Sequence, residues 1–279
     1  MRISSIFDQG SAEEREDAFL VGNPFCVVAD GVSAPYNSKT PLRRFNGKPG
    51  GQMAADVVVA AYASARPEDE VRHCLRLANM RVGRVQSTAE LPLDRADLLA
   101  GASAVTVKLA GGLVQIVSVG DAAALWWGKG GVGKTRDQVA RHDEWAEAEF
   151  ARHFEAAGGN RKQAWETYHE ARLPVRRADV NGETERAFGL VNGQPEFARH
   201  IEQVVLRCDE LDTLILCSDG FLRGLDADDI EACVGQVRRA YEVGGLPQAL
   251  KRVQDHELVK AKDSHAAHAE VTAIVIEFR

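Results

Sequence analysis

The 279-residue chain has no apolar run long enough to cross a bilayer, and Met1 to Phe7 lack the long apolar stretch of a signal peptide. Cysteine is sparse. Cys26, Cys74, Cys208, Cys217 and Cys233 are odd in number, and no two stand in CxxC spacing. That pattern excludes a disulfide framework and a cysteine-built zinc site, and the expectation is five reduced, mostly buried thiols in a cytoplasmic protein. Basic excess is lacking too: 34 Lys and Arg stand against 41 Asp and Glu, a net charge of −7. Nothing electrostatic therefore favours nucleic acid or an anionic membrane as partner. The chain also lacks internal repeats and low-complexity tracts. What remains is 45% apolar and 27% charged, an ordinary globular composition with length for one large domain.

The organising stretch is Phe25-Cys26-Val27-Val28-Ala29-Asp30-Gly31. Its apolar β-formers predict a buried strand ending in an acid, with a glycine that exposes its carbonyl as the backbone turns. Ala18 to Val21 forms the preceding strand, and Gly22-Asn23-Pro24 turns the hairpin. Antiparallel pairing sets Glu16 and Asp17, at the start of one strand, beside Asp30 at the end of the other. Helices are expected over Gln52–Ala65 and Glu68–Val85, then strands over Ala102–Leu109, Leu113–Val119 and Ala122–Trp127. Asp143–Tyr168 reads as helical with a break at Gly158-Gly159, and Leu173–Gln194 as irregular. Strands follow at Gln203–Arg207 and Thr213–Cys217, helices at Asp226–Tyr241 and Leu246–Val259, and a closing strand at Val271–Phe278. Strands in antiparallel-looking runs with helices in pairs give an α+β class.

Three strands end in an acid beside glycine: Asp30-Gly31, Gly120-Asp121 and Asp219-Gly220. With Glu16-Asp17 they form a set of carboxylates that repel one another unless protonated or bound to a cation. Oxygen-only donors suit Mg²⁺ and Mn²⁺, and paired ions of that kind catalyse phosphoryl hydrolysis.

The order Glu16-Asp17, Ala29-Asp30-Gly31, Gly50-Gly51-Gln52-Met53, Gly101-Ala102-Ser103-Ala104, Val119-Gly120-Asp121, Thr213 to Gly220 and Val271 to Ile276 resembles the metal-dependent protein phosphatases, the PPM or protein phosphatase 2C family, in its bacterial form. The resemblance implies two packed antiparallel sheets with helix pairs on both outer sides. It implies one domain over residues 1–279 with a helical or flap insert at about 141–195. The implied activity is hydrolysis of phosphoserine and phosphothreonine by a metal-bridging water, on a protein phosphorylated by a cognate Ser/Thr kinase. By the same resemblance Asp30 bridges two Mn²⁺ or Mg²⁺ ions, and the Gly31 carbonyl holds the second with Glu16 or Asp17. Asp219 then holds the first ion, and Asp121 with Asp219 a weaker third.

Four positions depart from the family pattern. Where the family has an Asp ligand before its closing strand, this chain has Ala269-Glu270; Glu270, His268 and Asp263 are the candidate substitutes. The family's phosphate-binding Arg position is Ala12, with Arg2, Arg15, Arg43 and Arg44 as nearby alternatives. Val32 stands where eukaryotic members carry a His acid, and Arg223 where many carry a further Asp. These losses give a second possibility, a weak or inactive pseudophosphatase that binds phosphoproteins.

A third possibility is a P-loop ATPase, since Gly128-Lys129-Gly130-Gly131-Val132-Gly133-Lys134-Thr135 fits GxxxxGK[ST]. Its flanks, to Trp127 and over Thr135–Val139, read as antiparallel β, so a glycine-rich hairpin is expected there. Four further expectations concern the insert and its surroundings. His142-Asp143 is a loop pair, Arg172–Arg186 is a solvated flap, Trp145 and Trp165 pack the insert, and either Trp126 or Trp127 lies under it.

Overall fold

Strict alternation of apolar side chains builds two five-stranded antiparallel sheets. The computed structural model describes residues 1–11, 13–34, 41–225, 229–261 and 269–278. Ala12, Asp263 and His268 lie outside these, as does the expected helix start at Asp226. In chain order the strands are β1 (Arg2–Asp8), β2 (Ala18–Val21), β3 (Phe25–Val32), β4 (Arg44–Phe45), β5 (Lys48–Pro49), β6 (Gly101–Ala110), β7 (Leu113–Val119), β8 (Ala123–Gly128), β9 (Gly131–Lys134), β10 (Glu202–Arg207), β11 (Thr213–Cys217) and β12 (Val271–Glu277). The helices are α1 (Gly50–Ala63), α2 (Val71–Thr88), α3 (Ala140–Ala156), α4 (Arg161–Asp179) and α5 (Ile230–Ala261). One sheet runs β1-β12-β11-β8-β9 and the other β10-β7-β6-β3-β2, while β4 and β5 pair as a small ribbon.

Each strand shows one face to the other sheet and one to helices. On β3, Cys26 and Val28 join the layer between the sheets with Leu214, Leu216, Ile274 and Ile276. Phe25, Val27 and Ala29 face α1 and α2, against Val58, Tyr62 and Leu75. On the far side, Ile215, Cys217 and Val275 pack on Val234, Val237 and Val253 of α5. Burying each such large apolar side chain stabilises by ~1.5–3 kcal/mol. α5 breaks at Gly244 and Gly245, so helix pairs flank both outer faces. The fold is therefore the α+β double sheet that the strand pattern and the resemblance implied.

Some local expectations need correction. β9 lies inside the glycine-rich segment, and residues 135–139 form no strand. Gly128 pairs with Gly131 across a two-residue turn, and Gly133 lies flat against Trp126; a Cβ there would come within 2.3 Å of the indole. A phosphate loop needs a parallel βα unit, so this antiparallel hairpin removes the P-loop alternative. α4 continues through Pro174 to Asp179, past the expected end at Tyr168. The ring removes one amide, and burial of Tyr168 and Arg176 on either side of it outweighs that loss.

The Arg172–Arg186 run is accordingly not a solvated flap. Arg176 is 5% exposed, and Arg186 pairs with buried Asp179 at 3.1 Å. His142 and Asp143 sit in the first turn of α3, not in a loop. Neither Trp126 nor Trp127 packs under the insert: Trp127 stacks edge-on against Tyr241 of α5, and Trp126 borders the layer between the sheets. Trp165 does pack within α3–α4, 4.8 Å from the Phe150 ring, and Trp145 meets His142.

Candidate active site

The layer between the sheets opens at one end, where β3, β7 and β11 finish and β2, β6 and β12 begin. Alternation carries the apolar sequence Cys26, Val28 on to Asp30, which therefore points between the sheets, and it sets Ser103 of β6 directly across from Asp30. The same parity turns Thr272 of β12 inward, in line with Ile274 and Ile276. Asp219 follows the end of β11. Adjacent strands of one sheet are latched there, β11 to β12: the Thr272 amide donates to Ser218 Oγ at 2.9 Å, and the Ser218 amide donates to the Thr272 carbonyl at 3.0 Å.

Asp17, Asp30, Asp121 and Asp219 act on one another at this mouth. Asp30 is held well above the ordinary carboxylate range, by burial first and then by Asp219, Asp17 and Asp121, with a carboxyl–carboxyl hydrogen bond to Asp219. Burial, followed by Glu270 and Asp219, raises Asp17 to about 7; the Thr272 and Ser218 hydroxyls lie close enough to oppose the rise in part, without Thr272 Oγ1 closing a hydrogen bond to Asp17 Oδ2. Asp121 is also raised to about 7 by burial and Asp219, against a hydrogen bond with Ser103. These are the acids that the motif order brought forward, collected from four separate segments.

Glu16 lies beside them on a second arm. Ser33 Oγ donates to its carboxylate, and the same hydroxyl accepts the Gly51 amide at 2.9 Å. Gly31 is required here: a Cβ would fall 2.4 Å from the Gly51 carbonyl and 2.6 Å from the Glu16 carbonyl oxygen. The Ala102 amide and carbonyl both bond Val191. Gly31, opposite Ala102, therefore directs its own carbonyl to the other edge, where Glu16 lies.

Glu270 is brought to the same place in a different capacity. Its two carboxylate oxygens accept the Glu16 amide at 2.9 Å and the Asp17 amide at 3.1 Å, clasping the start of β2 to the start of β12. Two acids stand here that the motif reading did not single out. Asp137 and Asp143 line a cleft of ≈ 350 Å³ with Asp121, Asp219, Lys134 and Arg223. Burial, Asp137 and Asp219 raise Asp143 to about 6. The signal for Asp137 was a turn one: its Oδ1 accepts the amides of Val139 and Ala140, just before α3. Nothing local to Asp143 marks it, since only the packing of α3 brings it to the cleft.

Of the arginines, Arg15 donates to the Asp17 carbonyl and lies 4.4 Å over the Phe7 ring. Arg44 pairs with Glu14 at 2.8 Å and borders a second cleft, of ≈ 310 Å³, that includes Glu16 and Glu270. Arg43 turns to the Ala89 carbonyl. Arg2 pairs with Glu277 at the opposite end of β1, ~20 Å away by strand rise.

All the donors at the mouth are oxygens, which suits a hard divalent cation. Asp17 Oδ2 and Thr272 Oγ1 are buried there without a hydrogen-bond partner, as expected of groups with another ligand to meet. Among the described residues, no three His, Cys, Asp or Glu side chains form a ready-made cage.

No family model and no curated protein matches the sequence. Solved structures do. The catalytic domain of the serine/threonine protein phosphatase PstP, in complex with two manganese ions, is 18% identical with a TM-score of 0.58, over 99% of this chain and 97% of that one. MsPP, a PPM Ser-Thr phosphatase from Mycobacterium smegmatis solved with cacodylate, is 20% identical with a TM-score of 0.56, over 99% and 98%. PppA, a regulatory component of type VI secretion in Pseudomonas aeruginosa, is 16% identical with a TM-score of 0.58, over 98% and 96%. In overall architecture this chain has the fold of the metal-dependent protein phosphatases, the PPM or protein phosphatase 2C family.

Proposed function

We propose that the protein is a metal-dependent phosphatase acting on phosphoserine or phosphothreonine in a protein substrate, itself the product of a Ser/Thr kinase. The observation that carries this reading is the gathering of Asp17, Asp30, Asp121 and Asp219 at one open end of the double sheet, with Asp30 and Asp219 in hydrogen-bond contact. Asp30 and Asp219 would hold a first Mn²⁺ or Mg²⁺. Asp30, Glu16 and the Gly31 carbonyl would hold a second, matching the two manganese ions of the PstP structure, and Asp121 with Asp219 a weaker third. When bound, such ions neutralise the phosphoryl oxygens and acidify the attacking water.

The chain's own groups prepare the site. Ser33 and Gly51 fix Glu16, Ser103 fixes Asp121 through its amide at 3.3 Å, and the Glu270 clasp fixes the backbone of Glu16 and Asp17. Arg15, Arg44 and Arg223 stand beside these acids and would be the arginines to meet a substrate phosphate. Hydrolysis of p-nitrophenyl phosphate that requires Mn²⁺ and disappears in EDTA is the expected result. Wild-type protein with no metal-dependent turnover above background would remove the hydrolase.

The pseudophosphatase is favoured by one specific observation. Ala269 cannot ligate, and the adjacent Glu270 is committed to two backbone amides. Binding of a phosphopeptide without its hydrolysis would select that alternative.

A further inference from the structure

Glu16 and Asp17 are neighbours just before β2, and their carboxylates meet different groups. Glu16 meets Ser33. Asp17 reaches the space bounded by Thr272, Ser218 and Asp219. Asp17 is 2% exposed and Thr272 is fully buried. Both carry an oxygen without a hydrogen-bond partner, although the two residues are neighbours. A buried hydroxyl and a buried carboxylate oxygen left unpaired are each costly, by ~1–3 kcal/mol or more for the charged group. They persist together only where something else satisfies them.

Among the described residues, the start of β12 brings no uncommitted carboxylate to Asp30 and Asp219. The Ala269 methyl packs over Gly220, where a Cβ would lie 3.2 Å from it, and Glu270 is spent on the amides of Glu16 and Asp17. The carboxylate that reaches this space comes instead from the start of β2.

We infer that Asp17 supplies the third carboxylate of the cation site built on Asp30 and Asp219, taking the role that Ala269 cannot fill, with Thr272 as the residue that positions it. The inference rests on the proposed metal-dependent function and divides its ligands: Glu16 belongs to one ion and Asp17 to the other. Thr272 acts through Asp17 and touches neither substrate nor phosphorus.

Mn²⁺ binding tests this without reference to turnover, by calorimetric titration and by the electron paramagnetic resonance of free Mn²⁺. Wild type takes up two tightly held ions. Asp17→Asn weakens one of them by ~100-fold, and Glu16→Gln weakens the other. Ala269→Asp placed in the Asp17→Asn background recovers at least ~10-fold of the lost affinity. Thr272→Val, which keeps the buried volume, weakens the Asp17-dependent ion by ~10-fold, in the range of an outer partner. It keeps the test open should Asp17→Asn not fold. Asp17→Asn titrating like wild type, or Ala269→Asp recovering nothing in a folded double variant, overturns the inference while leaving the phosphatase proposal standing. Wild type that takes up no Mn²⁺ removes both.

Discussion

Asp30 and Asp219 descend from strands of different sheets and meet carboxyl to carboxyl. Neither can be replaced by its amide without losing a negative charge at the point where the others converge. Asp30→Asn and Asp219→Asn are each expected to lower Mn²⁺-dependent p-nitrophenyl phosphate hydrolysis at least ~100-fold. Either variant keeping a tenth of wild-type kcat/KM would exclude its residue from the reaction.

The raised acids also set a pH dependence. Asp17 and Asp121 have ordinary values near 3.8 in the unfolded chain and are held to about 7 when folded. Their favourable contribution is complete below about 3.8 and is lost as pH rises through 7. His142 works oppositely: burial lowers it, so its contribution is lost as pH falls below 6.5. His200, also lowered by burial, acts with His142, and Asp17, Asp121 and Asp30 outweigh the two. In EDTA, Tm should therefore fall between pH 5.5 and pH 8. Added Mn²⁺, which replaces protons on the same oxygens, should raise Tm more at pH 8. A melting temperature that climbs with pH in EDTA would contradict the raised carboxyls.

At the scale of elements, local pattern misled at the α3–α4 pair, while the expected antiparallel hairpin at β8–β9 formed with its second strand inside the glycine-rich stretch. Gly128 to Thr135 matches a phosphate loop letter by letter, yet its backbone is consumed by antiparallel pairing. Titration with ATP should show no tight binding in wild type and no change in Lys134→Ala. Tight binding lost in that variant would restore the nucleotide reading.

α3 and α4 are joined by a buried pair, His142 Nδ1 to Asp179 Oδ2 at 2.9 Å, and Thr184 and Arg186 bond the same carboxylate. Asp179→Asn or His142→Ala breaks a fully buried hydrogen bond and should destabilise the fold by about 1–3 kcal/mol. Urea unfolding would measure it, and a loss below about 1 kcal/mol would mean that the pair is replaceable. Pro174 and the basic run made this stretch look irregular because helix propensity is local. The gain that overrides it, burial of Tyr168, Arg176 and Asp179, depends on partners tens of residues away.

For the molecule as a whole, the β2–β3 hairpin, the paired helices before β6 and the apolar parity of β11 and β12 were legible because each follows from a period of two or of about 3.6 along the chain. The acidic strand ends were legible for the same reason: an acid beside glycine at the close of an apolar run has only one place to go. Their convergence was expected from motif order, while the division of labour among them was not. Glu270 reads as a ligand in sequence and is in space a clasp on two amides. Asp143 reads as a loop residue and is in space part of the cleft wall. Among the described residues, no helix is long and apolar enough to cross a membrane.

By itself the sequence determined the long strands of the double sheet, the helices that flank them and the acids that end those strands, since these depend on side-chain periodicity and on what glycine permits. Only the tertiary structure decided which carboxylates keep a free oxygen. Hydrogen-bond saturation is set by neighbours that arrive from other strands, and no pattern along one segment records it.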